Sequence, residues 1–279
     1  MALPRILPGQ QWSLLAGKFP ALPASLGTLT ELRPPRDRSW ADPFPVVRDG
    51  RCWVFLVEVI HHPKKGRIAV MELHADGSTG PLTVLIERDY HLSYPFVFEQ
   101  DGTWWMIPES RANHTVDLYR CHSWPDNWQH EMTLFSGTEI VDSTLWESEG
   151  RWWLFGGTPS EPGGNASGQL CLWSADTFLT DQWAPHPANP IVADRTCARP
   201  AGRLFRHDNQ VIRPAQDCSV RYGYGVRLMA VNQLSPEAYR ETELKAYLPN
   251  WDRKVRATHT FNRAGDWLLG DCARRIWPG

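Results

Sequence analysis

Asp42-Pro-Phe-Pro-Val-Val-Arg-Asp-Gly-Arg-Cys-Trp53, Tyr94-Pro-Phe-Val-Phe-Glu-Gln-Asp-Gly-Thr-Trp-Trp105 and Asp142-Ser-Thr-Leu-Trp-Glu-Ser-Glu-Gly-Arg-Trp-Trp153 are three copies of one pattern. In each, a glycine (Gly50, Gly102, Gly150) stands eight residues after the opening residue, and tryptophan follows within three more. An acidic residue and a glycine between apolar runs signal a tight hairpin, because both turn positions need positive φ. Each copy therefore reads as strand, turn and strand. Two weaker copies follow, Arg199-Pro-Ala-Gly-Arg-Leu-Phe-Arg-His-Asp-Asn-Gln-Val211 and His259-Thr-Phe-Asn-Arg-Ala-Gly-Asp-Trp267.

The copies open at residues 42, 94, 142, 199 and 259, a period of roughly 50–60 that suits one four-stranded blade per repeat. The expected fold is all-β, a single five-bladed β-propeller domain over residues 1–279, with a segment from about Gln11 to Leu22 closing the last blade. A two-sheet sandwich with hairpins alike by chance is the alternative, and it gives no reason for the shared glycine offset. The stretch Ser235 to Tyr247 reads as a short helix or an outer excursion, because Ser-Pro-Glu is a helix-start signal.

Composition agrees. The chain has 15 Trp, 23 Pro and 21 Gly among 279 residues, which favours many short strands joined by turns. A net charge of -2 argues against a general nucleic-acid binder. No apolar run reaches the ~18–20 residues of a membrane helix. The opening MALPRILPGQQW lacks the pattern of a signal peptide, so the cytoplasm is the expected location. The six cysteines show no metal or redox spacing and read as reduced thiols, and no cofactor is expected.

In a propeller the inner strands line a central channel, and each hairpin returns its second strand to the same end. The repeat openers Asp42, Tyr94, Asp142, Arg199 and His259 should gather at one mouth. Positions about fifteen residues further on should join them: Glu58, Glu109, Thr158, Gln216-Asp217 and Asp271. Carboxylates crowded in a cleft raise one another's pKa and mark candidate functional sites. Hydrogen bonds and ion pairs that merely tie blades together are the other reading. In each Trp pair, Trp104-Trp105 and Trp152-Trp153, one ring should pack between blades, since adjacent strand residues face opposite ways. Trp40 and Trp146, close to Asp42 and Asp142, are the candidates for stacking on a sugar face.

The residues resemble a known superfamily. Ser39-Trp-Ala-Asp-Pro-Phe44 and Ile140-Val-Asp-Ser-Thr-Leu-Trp146 are similar to the blade-one and blade-three Asp motifs of five-bladed glycosidases, above all glycoside hydrolase family 43. The resemblance implies Asp42 as general base and Asp142 as the residue that tunes and holds the acid. It also marks a departure: where the family has its acidic Glu, this chain has Arg199. Glu109 is the leading substitute acid, with Asp217 and His259 as alternatives. The resemblance equally allows His259 to sit beside a channel ion. A second resemblance covers nearly the whole chain. Tyr94-Pro-Phe-Val-Phe, Ile-Pro-Glu-Ser110, Pro-Asp-Asn-Trp128, Arg-Pro-Ala-Gly202 and Arg-Pro-Ala-Gln-Asp217 are similar to the propeller domain named for the N-terminal part of plant glucosamine inositolphosphorylceramide transferases.

The expected function is that of a glycoside hydrolase acting on a small or terminal sugar. Separate blades facing one channel could space two carboxyls for inversion or for retention. Arg199, with Arg213 and Arg221 nearby, points to an anionic sugar, such as a uronate or an ulosonic acid, or to an unusual furanoside; Arg199 would otherwise neutralise the Asp ring. A non-catalytic carbohydrate-binding module, or a pseudo-enzyme of glycan assembly, is the alternative, and in both cases the partner is a carbohydrate or glycoconjugate. Tyr94 completes the expected substrate-binding set.

Overall fold

The computed structural model describes residues 9–276. The ends of the expected 1–279 domain, residues 1–8 and 277–279, lie outside the described residues. The chain begins with β1 (Gly9–Lys18) and β2 (Thr30–Leu32). Four four-stranded antiparallel blades follow. The first contains β3 (Arg38–Arg48), β4 (Arg51–His61), β5 (Lys64–Leu73) and β6 (Thr83–Ile86). The second contains β7 (Ser93–Gln100), β8 (Thr103–Ser110), β9 (Thr115–Ser123) and β10 (Asn127–Ser136). The third is β11 (Val141–Ser148), β12 (Arg151–Thr158), β13 (Gln169–Ala175) and β14 (Ala184–Pro185). The fourth is β15 (Phe205–His207), β16 (Gln210–Asp217), β17 (Gly225–Leu234) and β18 (Tyr239–Tyr247). The fifth joins β19 (Val255–Ala257), β20 (Phe261–Ala264) and β21 (Trp267–Ile276) to β1 and β2.

This is the five-bladed propeller read from the repeats. The acidic-Gly turns carry the reading. Asp49-Gly50, Asp101-Gly102 and Glu149-Gly150 all hold positive φ at both positions, 51° and 75°, 51° and 75°, 55° and 72°. That is the backbone twist a two-residue hairpin requires. Ring closure follows the expected route: β1 pairs antiparallel with β21 from Gly9↔Ile276 to Lys18↔Trp267. The closing strand ends at Lys18 rather than at residue 22, and β2 adds an outermost strand to the same blade.

Aromatics fill the spaces between blades. Trp105 and Trp153 are buried, as one ring of each pair should be. Their neighbours also pack, Trp104 against Trp124 and Trp152 against Phe178. All six cysteines are free thiols. No helix among the described residues is long and apolar enough to cross a membrane.

The reading of Ser235 to Tyr247 as a short helix or an outer excursion is corrected: the segment forms a turn and the outermost strand of blade four. Ser235 accepts hydrogen bonds from Glu237 and Ala238 in a turn, and β18 then runs along β17. Pairing with β17 overrides a helix-friendly composition, a common outcome because propensity is a weak prior.

One local feature positions the site. β3, β7 and β11 each carry a register irregularity at the repeat opener, and Asp42, Tyr94 and Asp142 there have φ of 51°, 42° and 53°. Left-handed backbone is uncommon for a non-glycine residue and rarer still for a bulky one. It costs on the order of 1–3 kcal/mol per residue. A bulge of this kind turns a side chain out of the strand's alternation. Here it is repeated in three consecutive blades at the same depth.

Candidate functional site

Inner strands β3 and β11, the end of β8 and the segments leading into β15 and β20 bring Asp42, Asp142, Glu109, Arg199 and His259 to one cavity of about 310 Å³, lined also by Trp12, His61, Lys64, His91 and Tyr222. That volume lies at the small end of ligand pockets. Two charged groups face it.

The first group joins blades five and one. Asp42 accepts hydrogen bonds from the Tyr94 N–H (3.2 Å) and the Thr260 hydroxyl (3.2 Å). Its own N–H donates to Asp271 (3.1 Å). Asp271 holds His259 through Nδ1 at 2.7 Å, and the same nitrogen lies 3.7 Å from Asp42. The imidazole is stacked on Trp12, with ring centroids 4.0 Å apart. Burial lifts the Asp42 pKa; His259 opposes this, while Asp271 and Asp142 add to it. For His259, burial pulls down, but Asp271 beside it wins and the imidazole is raised above its ordinary value. Asp271 is held low by His259 despite its burial. Asp42, His259 and Asp271 are also the residues that could hold a cation, with ligand atoms within 4.8 Å of one another.

The second group joins blades two, three and four. Arg199 Nε donates to Asp142 at 2.6 Å, and its terminal nitrogen lies 3.6 Å from Glu109. Gln216 also donates to Asp142 (3.0 Å), and the Asp142 N–H reaches Glu109 (3.3 Å). The Tyr222 ring covers Arg199 at 5.0 Å. Burial, opposed by Arg199 and helped by Glu109, pushes the Asp142 carboxyl up to about 7.

These shifts predict a pH dependence. A carboxyl raised in the fold is protonated there while ionised in the unfolded chain, so folding stability falls as pH climbs from the ordinary carboxylate range to about 7. His259, raised, adds stability below about 6.5 that is lost above it. His61 and His91, lowered chiefly by burial, act in the opposite sense. Urea unfolding at pH 5 and pH 7.5 should show Asp142→Asn removing a downward slope of up to about 1.4 kcal/mol per pH unit. An unchanged slope would place the proton elsewhere.

The family model described as "Glucosamine inositolphosphorylceramide transferase 1, N-terminal" matches residues 33–266. The chain belongs to this family. Glucosamine inositolphosphorylceramide transferase 1 of Arabidopsis thaliana is 34% identical over 207 residues, covering 73% of this chain and 27% of that protein. The Oryza sativa subsp. japonica protein of the same name is 33% identical over 204 residues, covering 72% and 27%. The chain thus spans about a quarter of the length of the curated relatives it matches. Among solved structures, it is similar to the catalytic domain of a Coprinopsis cinerea GH62 α-L-arabinofuranosidase (TM-score 0.64, 13% identity, 95% of this chain and 97% of that one). It is also similar to Zg3597, a family 117 glycoside hydrolase of Zobellia galactanivorans (TM-score 0.58, 11% identity, 94% and 90%). At such identities the likeness concerns the fold.

For this family member, several expected site residues lie elsewhere, and strand alternation explains two of them, Asp217 and Arg213. Gln216 faces the channel, so Asp217 next to it faces away; it is held by Arg227 and Ser219 and cannot serve as the acid at the mouth. Arg213, an odd number of residues from Gln216, also faces away, fully buried against Glu241. Arg221 donates to the Arg256 carbonyl and does not line the cavity. Glu58 is held by Arg38, Arg67 and Trp40, which takes Trp40 out of the pocket as well. Trp146, four residues along β11 from Asp142, reaches a different cavity, beside Trp152 and Arg203. Tyr94 is completely buried, its hydroxyl bonded to Thr144, and forms part of the channel core below the pocket. Missed at first were Trp12, Tyr222, His91 and Asp271's grip on His259. Trp12 lies in the closing strand, and the other two stand in loops with no repeat signal. A larger groove of about 710 Å³ beside blade four, bordered by Ile191, Met229 and Arg240, brings no comparable set of charged groups together.

Proposed function

We propose that the pocket binds a single neutral sugar residue of a glycan or glycoconjugate and hydrolyses its glycosidic bond. The observation that carries this reading is the pair of carboxylate groups, Asp42 on blade one and Glu109 on blade two, lining one sugar-sized cavity with separate supporting partners. Asp42, buried and raised, takes a proton from water as the water attacks the anomeric carbon. Glu109 gives a proton to the departing oxygen. Asp142 and Arg199 hold Glu109; His259 and Asp271 hold Asp42. A base that activates water and an acid on the other side of a glycosidic bond stand about 6.5–9.5 Å apart, and the outcome is inversion. His259 at 3.7 Å from Asp42 is on the same side and supports the base instead. Trp12 and Tyr222, in place of Trp40 and Trp146, are the aromatic faces for the sugar. Arg199 is engaged by Asp142 and the other two arginines lie outside the pocket, which supports a neutral sugar, with Lys64 the other lasting cation in the lining.

One observation favours sugar binding without turnover: Arg199 stands where glycosidases of this shape carry an acid, and ties up both neighbouring carboxylates. A panel of aryl pyranosides and furanosides of both anomers separates the readings, with free monosaccharides tested by thermal shift. Aglycone release is the expected result. Stabilisation by a monosaccharide with no release from any glycoside would leave the binding module, and neither signal would sink both readings.

A further inference from the structure

We infer that His91 is a substrate-contacting residue: a neutral imidazole locked as a one-way hydrogen-bond donor toward an oxygen of the bound sugar. This rests on the sugar-pocket reading above. His91 lies in the link between blades one and two, three residues before Tyr94, and lines the cavity with Asp42, Ser93 and Lys64. Its Nδ1 accepts the Gly66 backbone N–H at 2.9 Å. A backbone amide can only donate, so Nδ1 carries no proton, and the proton of the neutral ring sits on Nε2. Among the described residues Nε2 makes no hydrogen bond, and it is not sealed from solvent. Burial, first among the causes, holds the imidazole pKa below its ordinary value, so the neutral form prevails at physiological pH.

Gly66 builds the lock. A Cβ at that position would run into the Leu92 carbonyl and the His91 ring, so the backbone comes this close only because no side chain intervenes. The Leu92 N–H donates to the Gly66 carbonyl at 3.0 Å, fixing the two segments on both sides of the histidine. The pocket then offers opposite functions side by side. Asp42 accepts hydrogen bonds, and His91 Nε2–H donates one. A sugar hydroxyl can satisfy both at once, since it accepts through a lone pair and donates through its proton. The inferred ligand class is accordingly a sugar with a free hydroxyl at the position facing blades one and two. A deoxy or O-substituted sugar would lose the contact.

Two substitutions separate this role from a structural one. The Asn amide oxygen can stand in for Nδ1 and keep the Gly66 contact, but Asn has nothing at the Nε2 position. Gln places an amide N–H where Nε2 stands and gives up Nδ1. With the panel monosaccharide that stabilises the wild type most as probe, His91→Asn should raise Kd about tenfold and His91→Gln no more than about threefold, the scale of one net hydrogen bond. A structural histidine would give the reverse order, with His91→Gln the damaging change, and that result overturns the inference. Long-range ¹H–¹⁵N spectra of the free protein should show Nε2 protonated and Nδ1 bare, with the Nε2 signal moving on sugar addition. A protonated Nδ1, or an unmoved Nε2 in a protein that does bind sugar, overturns this inference and leaves the pocket reading intact. A protein that binds none of the panel sugars overturns both.

Discussion

Asp42→Asn is expected to lower kcat on the accepted aryl glycoside by about 10²–10⁴-fold, the contribution of a general base, while the Kd for the free sugar moves only a few-fold. The substitution is close to silent structurally. Asn tolerates the left-handed backbone that Asp42 adopts at φ 51°. Its one side-chain oxygen can still accept from the Tyr94 N–H, and its amide NH2 then faces the Thr260 hydroxyl, which can turn to accept. What it lacks is the ability to take a proton from water. Steady-state kinetics with calorimetric sugar binding on the same preparation provide the measurement. Equal kcat in variant and wild type would remove Asp42 from the chemistry.

Arg213→Met is expected to cost about 3–5 kcal/mol of folding stability, a drop in Tm on the order of 10 °C. Arg213 is fully buried and grips Glu241 with two nitrogens, at 2.8 and 2.6 Å. It also caps the Cys197 carbonyl at 2.6 Å. The Tyr239 hydroxyl completes the cage around Glu241. Removing the cation leaves a largely buried carboxylate at the floor of the blade-four groove with one neutral donor. The cost comes from that stranded charge, so Glu241→Leu added to Arg213→Met should recover much of the loss. A double variant as unstable as the single one would trace the effect to packing instead.

Much of the fold could be read before the structure, and the reason is physical. A two-residue turn with both φ values positive admits few residue types, so Asp49-Gly50, Asp101-Gly102 and Glu149-Gly150 announce themselves. Repetition then set the blade count and placed Asp42, Asp142, Arg199 and His259 at one mouth. Glu109 followed from the length of a returning strand. Failures came where a one-residue step decides the face: Asp217 against Gln216, Arg213 against its neighbours. The bulges at Asp42, Tyr94 and Asp142 were invisible, because nothing in a Tyr-Pro pair marks left-handed backbone. The two uses of Arg199, for a ligand or for the carboxylates, were indistinguishable in sequence, since both need the same guanidinium; in the fold its Nε contacts Asp142 at 2.6 Å. Trp12 and His91 stand outside the repeat, and only three-dimensional closure brings them in.

The pairing of β1 with β21 gives the pocket a place in time as well as in space. Trp12 is made long before His259 and Asp271, yet they stack and bond in the same wall. A nascent chain through residue 250 has synthesised Asp42, Glu109, Asp142 and Arg199, but it lacks the strand on which β1 closes. Such contacts, maximal in sequence separation, are slow to form. Affinity for the proposed sugar would therefore be a property of the closed ring, held by molecules in which β21 has paired with β1 and lost by those cut short before it.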